Sequence, residues 1–166
     1  MGFLSKIFGG SEKKPEAPAA QKPAPTLVTE DIDVYTETLG HSGAVFDFYI
    51  AGLAHHCNMR DLGFFIATIF NEKDNPYDRK AMAVGDQNKK KIVGYVPAAN
   101  LENYRKWCKR TDCIGVGYIY YDRTNLRGRV RAYLKDQDMD LVLKDMQEYA
   151  NIVCEHFGWA VPNITT

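Results

Sequence analysis

Between residues 45 and 134 the sequence breaks into short runs of strand-forming residues separated by turns, and that spacing limits what the chain can become. Parallel strands need crossovers of a dozen or more residues, whereas antiparallel strands can be joined by tight turns. The runs 45–51, 64–70, 81–84, 92–96, 114–121 and 127–134 are rich in β-branched and aromatic residues. Asn75-Pro-Tyr-Asp78 and Asp122-Arg-Thr-Asn125 have the residue types that start and fix turns. Pro97 stops the fourth run. Strands packed this closely predict a mainly β (α+β) fold, a small barrel of about six strands, and not alternating parallel βα units.

Two helices complete the reading. Residues 98–110 place Leu101, Tyr104, Trp107 and Cys108 on one side, with Asn100 as the candidate N-cap, which predicts a helix inserted between strands. Toward the end, Met139, Val142, Met146, Tyr149, Val153 and Phe157 recur at three- and four-residue steps. Asp136, Asp138 and Asp140 favour the start of this helix through its dipole, and Gly158 is placed to end it. A stripe of that length needs an apolar surface to cover, so residues 136–166 are expected to pack on a 45–135 body.

The rest of the chain reads differently. Residues 1–10 carry an apolar stripe, Phe3, Leu4, Ile7 and Phe8, suited to docking on a protein partner. Pro15, Pro18, Pro23 and Pro25 among Ala, Lys and Glu make residues 11–26 an expected flexible linker. Residues 27–44 are acidic and leave open whether they hold one edge strand.

Composition excludes some functions. With 21 basic and 21 acidic side chains the net charge is zero, which argues against indiscriminate coating of nucleic acid but not against a local basic face. No apolar run approaches the ~20 residues of a membrane-spanning helix, so no integral membrane association is expected. The first ten residues lack the architecture of a secretory signal, so a cytoplasmic location is expected, with Cys57, Cys108, Cys113 and Cys154 as reduced thiols. His55, His56 and Cys57 are adjacent; in an extended segment they would point in opposite directions and could not share one ion. No pattern of paired ligands, phosphate-cradling loop or nucleophile with its base is present. The expectation is a binding module and not an enzyme, with no metal and no cofactor.

Taken in order, Phe48-Tyr-Ile-Ala-Gly-Leu53, the apolar run 64–70, Glu72-x-x-Asn-Pro-Tyr-Asp78, Ala81-Met-Ala-Val84 and Val93-Gly-Tyr-Val-Pro97 resemble a HIRAN domain of the stand-alone bacterial type, over about residues 46–134. The resemblance implies a modified OB-like β-barrel. It also implies binding to single-stranded DNA or 3′ strand ends, in repair or replication-associated processes. In a DNA-end-binding member of the family, the Tyr and Asp of the Asn-Pro-Tyr-Asp motif help form the end pocket. Here these are Tyr77 and Asp78. Tyr77 would stack on a base, and the Asp78 carboxylate would accept a hydrogen bond from a terminal hydroxyl while repelling a phosphate. This chain departs from that pattern at two places. Ala54 and His55 stand where an Arg and an aromatic residue are expected, and Pro97-Ala98-Ala99 where a Lys is expected.

A basic face is the other candidate. Arg127, Arg129 and Arg131 alternate along one strand and share a side, with Val130 and Ala132 on the other; Tyr118 and Tyr120 share a side of the partner strand. Arginine interleaved with tyrosine suits phosphate tracking with base stacking, and it equally suits cross-strand packing on an ordinary surface. Lys89–Lys91 and the run 105–110 are further basic clusters. DNA is therefore the first expected partner, through Tyr77, Asp78, His55, Arg127, Arg129, Arg131, Tyr118 and Tyr120. The alternative is a protein-interaction adaptor that uses the barrel as scaffold and residues 1–10 as docking peptide.

Overall fold

Apolar side chains point to both faces of the strands, and the chain supplies a separate cover for each. The computed structural model describes residues 27–39, 45–107, 112–134 and 136–165. Six strands, β1 (Val45–Tyr49), β2 (Gly63–Asn71), β3 (Met82–Asp86), β4 (Lys91–Tyr95), β5 (Cys113–Tyr121) and β6 (Leu126–Tyr133), form one antiparallel sheet in the order β1-β6-β5-β2-β3-β4. Three α-helices accompany them: α1 (Leu53–His56), α2 (Ala98–Trp107) and α3 (Met139–Phe157). No helix among the described residues is long and apolar enough to cross a membrane.

One face of the sheet curls around a core of Phe48, Ile50, Phe65, Ile69, Val84, Val93, Ile119 and Val130. Leu53 of α1 and Tyr104 of α2 join this core, and the Tyr104 ring meets Phe46 and Phe48 edge-on at 5.4 and 5.9 Å. The opposite face offers Val116, Tyr118, Tyr120 and Tyr133 to α3, which covers them with Val142, Met146, Tyr149, Val153 and Phe157. Each such side chain stabilises the fold by roughly 1.5–3 kcal/mol when fully buried. Asp138 caps α3 by accepting the Asp140 N–H, and Gly158 ends it at φ 70°. Met139, counted with the apolar stripe from its spacing, is exposed instead.

The sheet does not close into the expected barrel. Its edge strands β1 and β4 meet at one bridge outside the ladders, where Ala51 and Tyr95 exchange N–H···O bonds of 2.9 Å. A Cβ on Gly94 would lie 2.5 Å from the Ala51 carbonyl oxygen, so the approach depends on that glycine. Immediately afterwards Gly52, at φ 71°, turns the chain into α1 before a ladder can form.

One open question closes and one further expectation gives way. No strand forms at residues 27–39; they run as an irregular strap between the sheet and α3. Glu148 of α3 accepts the N–H groups of Glu37 and Thr38, and Thr36 donates its hydroxyl to Asp145. Asn100 does not cap α2, which already begins at Ala98. The apolar stripe and linker at 1–26, residues 40–44, Cys108 and the Trp107 side chain lie outside the described residues.

Candidate nucleic-acid interface

The alternating arginines do share a side of β6, but at Arg129 and Arg131 that side faces the strap and α3 and not solvent. Arg131 is 2% exposed. Its guanidinium bonds both Asp47 carboxylate oxygens at 3.0 and 3.3 Å, the Thr36 hydroxyl at 3.0 Å, the Val34 carbonyl at 3.1 Å and Asp145 at 3.4 Å. It also lies over the Tyr149 ring at 4.6 Å. Arg129 donates to the Ile32 carbonyl at 2.9 Å, stands 3.6 and 3.5 Å from Asp31 and Asp33, and rests over the Tyr49 ring. Tyr118 is fully buried and donates to Asp31 at 2.7 Å; burial pushes its phenol far above the ordinary value. Tyr120 is buried against Phe157, with burial raising its pKa to about 12. Arg129, Arg131, Tyr118 and Tyr120 thus cannot form the open stacking face that their alternation suggested. The strap's acidic residues, noted in the sequence as a negative lead-in, are their counter-charges.

Arg127 alone of the three arginines reaches solvent freely, and it pairs with Asp122 at 2.6 Å. That hydrogen bond, with those from the Asn125 and Thr124 N–H groups, holds Asp122 at a pKa of about 2. The basic cluster at the β3–β4 turn is also paired: Lys89 and Lys91 lie 3.2 and 2.9 Å from the two Asp61 oxygens.

The motif residues fare differently. Tyr77, Asp78 and His55 line one cleft of about 600 Å³, together with His56, Asn75, Ala81, Tyr95, Val96, Ala98 and Leu101. Four parts of the chain build it, Ala98 and Leu101 of α2 among them. One wall is the turn after β2. Here Asn75 is buried, and its Oδ1 accepts the backbone N–H groups of both Tyr77 and Asp78 at 2.9 Å while its amide donates to Glu72 at 2.7 Å. Such side-chain bonds replace the missing ladder and stiffen the loop. Tyr77, carried on that fixed backbone, is 96% exposed. Asp78 uses Oδ1 to accept the Lys80 N–H at 2.8 Å; its Oδ2 has no partner among the described residues.

The floor comes from the end of β4. Tyr95 packs against the His56 ring at 5.4 Å, and its phenol pKa is raised by burial and by Glu72 beside it. The third wall is α1, and it explains why His55 and His56 enter the cleft. These residues are helical and not extended, so they do not point to opposite sides. His55 also borders a neighbouring depression of about 540 Å³ with Ala54, Tyr120 and Arg127. Among the described residues no group of three or more His, Cys, Asp or Glu side chains is placed to hold a metal ion.

Sequence reasoning named Tyr77, Asp78 and His55 but missed Asn75, Tyr95 and His56 as lining residues. Asn75 and Tyr95 lay inside the quoted motifs, so their signal was present. A groove of about 890 Å³ adjoins the cleft, sharing Ala98 and Leu101 and adding Lys80, Glu102, Arg105 and Lys106. On α2 the pairs Leu101/Arg105 and Glu102/Lys106 are each four residues apart, which makes the members of each pair neighbours; Leu101 leans toward Tyr104 and the core, while Glu102 and Lys106 are exposed.

No family model and no curated protein matches the sequence. Among solved structures, the HIRAN domain of human HLTF is similar to this chain at 13% identity and a TM-score of 0.36, over 72% of this chain and 93% of that domain.

Proposed function

We propose that this chain is a non-catalytic module that binds single-stranded DNA at the Tyr77 cleft and prefers a strand with a free 3′-hydroxyl. The observation that carries this reading is the posture of Tyr77: an aromatic ring 96% exposed, on a loop whose backbone Asn75 fixes. A tyrosine with no packing role gains nothing from such placement in the free protein, whereas a fixed ring is a ready stacking platform. Stacking contributes about 1–3 kcal/mol per base and tolerates any base. The apolar lining of Ala81, Val96 and Leu101 suits a planar group. Asp78 stands beside the ring with one carboxylate oxygen available, which would accept a hydroxyl proton and repel a terminal phosphate. The resemblance of Asn75-Pro-Tyr-Asp78 to the end-pocket motif supports the same assignment.

With Ala54 and Ala98 at the expected phosphate positions, the affinity should be micromolar, about −8 kcal/mol. Fluorescence anisotropy with three labelled oligonucleotides tests this: a free 3′ end, a 3′-phosphate and a closed circle. The free end should bind most tightly, and Asp78→Ala should erase the difference between hydroxyl and phosphate. Equal binding to all three would reduce the protein to a general DNA binder, and no binding at low salt would leave the adaptor reading.

A further inference from the structure

We propose that the strand leaves the Tyr77 cleft across α2, and that Lys80, Arg105 and Lys106 carry its phosphates in the adjoining groove. This rests on the function proposed above and adds the route of the backbone. Two routes lead out of the cleft. One passes His55 and Ala54 toward Arg127, because His55 borders both depressions. That route offers an uncharged Ala54 and an arginine already bonded to Asp122 at 2.6 Å. The other crosses Ala98 and Leu101 into the groove of about 890 Å³.

The second route has the matching charge. Its lining sets three cations against the single carboxylate of Glu102. Among the described residues no salt bridge ties Lys80, Arg105 or Lys106. The groove is also held in shape. Tyr104, fully buried, anchors α2 from the far side, and Arg105 donates to the Lys80 carbonyl at 3.5 Å, joining the helix to the loop that carries Tyr77 and Asp78. The basic clusters elsewhere do not compete: Lys89 and Lys91 pair with Asp61, and Arg129 and Arg131 pair with the strap, α3 and β1. The loss of a cation at Ala98 is therefore made good about two helical turns further on by Arg105 and Lys106, and from the facing loop by Lys80, side chains with no counterpart in the motif. A strand with a stacked terminal base and its following phosphates over α2 accounts for both depressions with one ligand.

The test compares a 3′-hydroxyl dinucleotide with an octanucleotide, on the full chain and on a variant combining Lys80→Ala, Arg105→Ala and Lys106→Ala. The unsubstituted protein should bind the octamer more tightly than the dimer, with a salt-dependent excess. In the variant this excess should shrink by at least about tenfold at low salt, and the salt slope should flatten by about 2, since each neutralised phosphate of a single strand contributes about 0.7. Its preference for hydroxyl over 3′-phosphate should survive. Lys106→Glu, a single change at an exposed position, should act in the same direction, and unchanged circular dichroism would show that both variants fold. A variant with the parent's length dependence and salt slope overturns the route while leaving end binding intact. Failure of the unsubstituted protein to bind either strand overturns the proposed function and the route with it.

Discussion

Arg131 of β6 and Asp145 of α3 lie 3.4 Å apart, with 2% and none of their side chains exposed. The pair is not isolated. Thr36 and Tyr133 both donate hydroxyls to Asp145, and Asp47 and the Val34 carbonyl take the remaining guanidinium hydrogens. Burying two ions costs several kcal/mol each, and their attraction repays this only when the surrounding hydrogen bonds are complete. Four separate parts of the chain, the strap, β1, β6 and α3, therefore have to arrive together for the network to be favourable.

Removing one partner should be severe. Asp145→Ala leaves the Arg131 charge buried beside an emptied site and is expected to cost about 3–5 kcal/mol. Urea unfolding followed by circular dichroism would measure it. A cost under about 1 kcal/mol would mean that solvent reaches Arg131.

Val142 offers a check on the helix that does not involve charge pairs. It is buried where α3 meets the sheet. Val142→Asp should cost several kcal/mol, because an unpaired carboxylate would enter an apolar contact. Leu141→Asp, one position along and exposed, should stay within about 0.5 kcal/mol of the parent. Equal thermal midpoints for the two variants would contradict the packing described.

Acid should loosen the β3–β4 turn. Burial pushes the Asp61 carboxyl up, but hydrogen bonds from Lys91, the Asn58 N–H and Lys89 outweigh it and hold the pKa at about 2. A carboxylate depressed in the folded state contributes stability that is complete above its unfolded pKa and is lost as pH falls through the folded value. The window is thus about pH 4 down to 2, and the contribution is about 1–2 kcal/mol. Unfolding free energies of Asp61→Asn and the parent, measured from pH 7 to pH 2, should converge as the pH drops. A constant gap across that range would show that Asp61 stays ionised or was never paired.

Tyr77 should separate binding from folding. Exposed as it is, Tyr77→Ala is expected to change stability by less than about 0.5 kcal/mol. The same substitution should weaken DNA binding by about 1–3 kcal/mol, the value of one stacked base. Asn75→Ala should weaken binding too, through a loosened loop, while costing about 1–3 kcal/mol of stability for the hydrogen bonds it leaves unmade. Unaltered affinity in both variants would remove Tyr77 from the site.

Much of this fold could be read locally. The run 64–70 and the Asp122–Asn125 turn needed only strand propensity and turn chemistry, and they fall within a residue or so of β2 and the β5–β6 connection. The α3 stripe was legible for the same reason, apart from Met139 at its end. What failed was long-range. Period two put Arg127, Arg129 and Arg131 on one side correctly, but whether that side was wet depended on Asp31, Asp33, Thr36 and Asp145, as far as 98 positions away in sequence. Helix α1 was missed because four residues carry no periodicity; Gly52 and the contacts of Leu53 make it. The cleft itself was half legible: its motif residues were named, while α1 and α2, which complete it, met them only through folding.

The Ala51–Tyr95 bridge bears on how the protein behaves when crowded. An open sheet presents two rows of unsatisfied amides and carbonyls, and such rows recruit strands from other molecules. Here the two rims are turned toward each other. Cys57 at the end of α1 donates its thiol to the Val93 carbonyl at 3.6 Å, occupying one acceptor that an intruding strand would use. Gly94 is the weak point of this arrangement, since any side chain there would force the rims apart. Gly94→Val should therefore reveal itself less as a lost function than as a tendency to form fibrils, visible as thioflavin fluorescence under conditions where the parent stays clear.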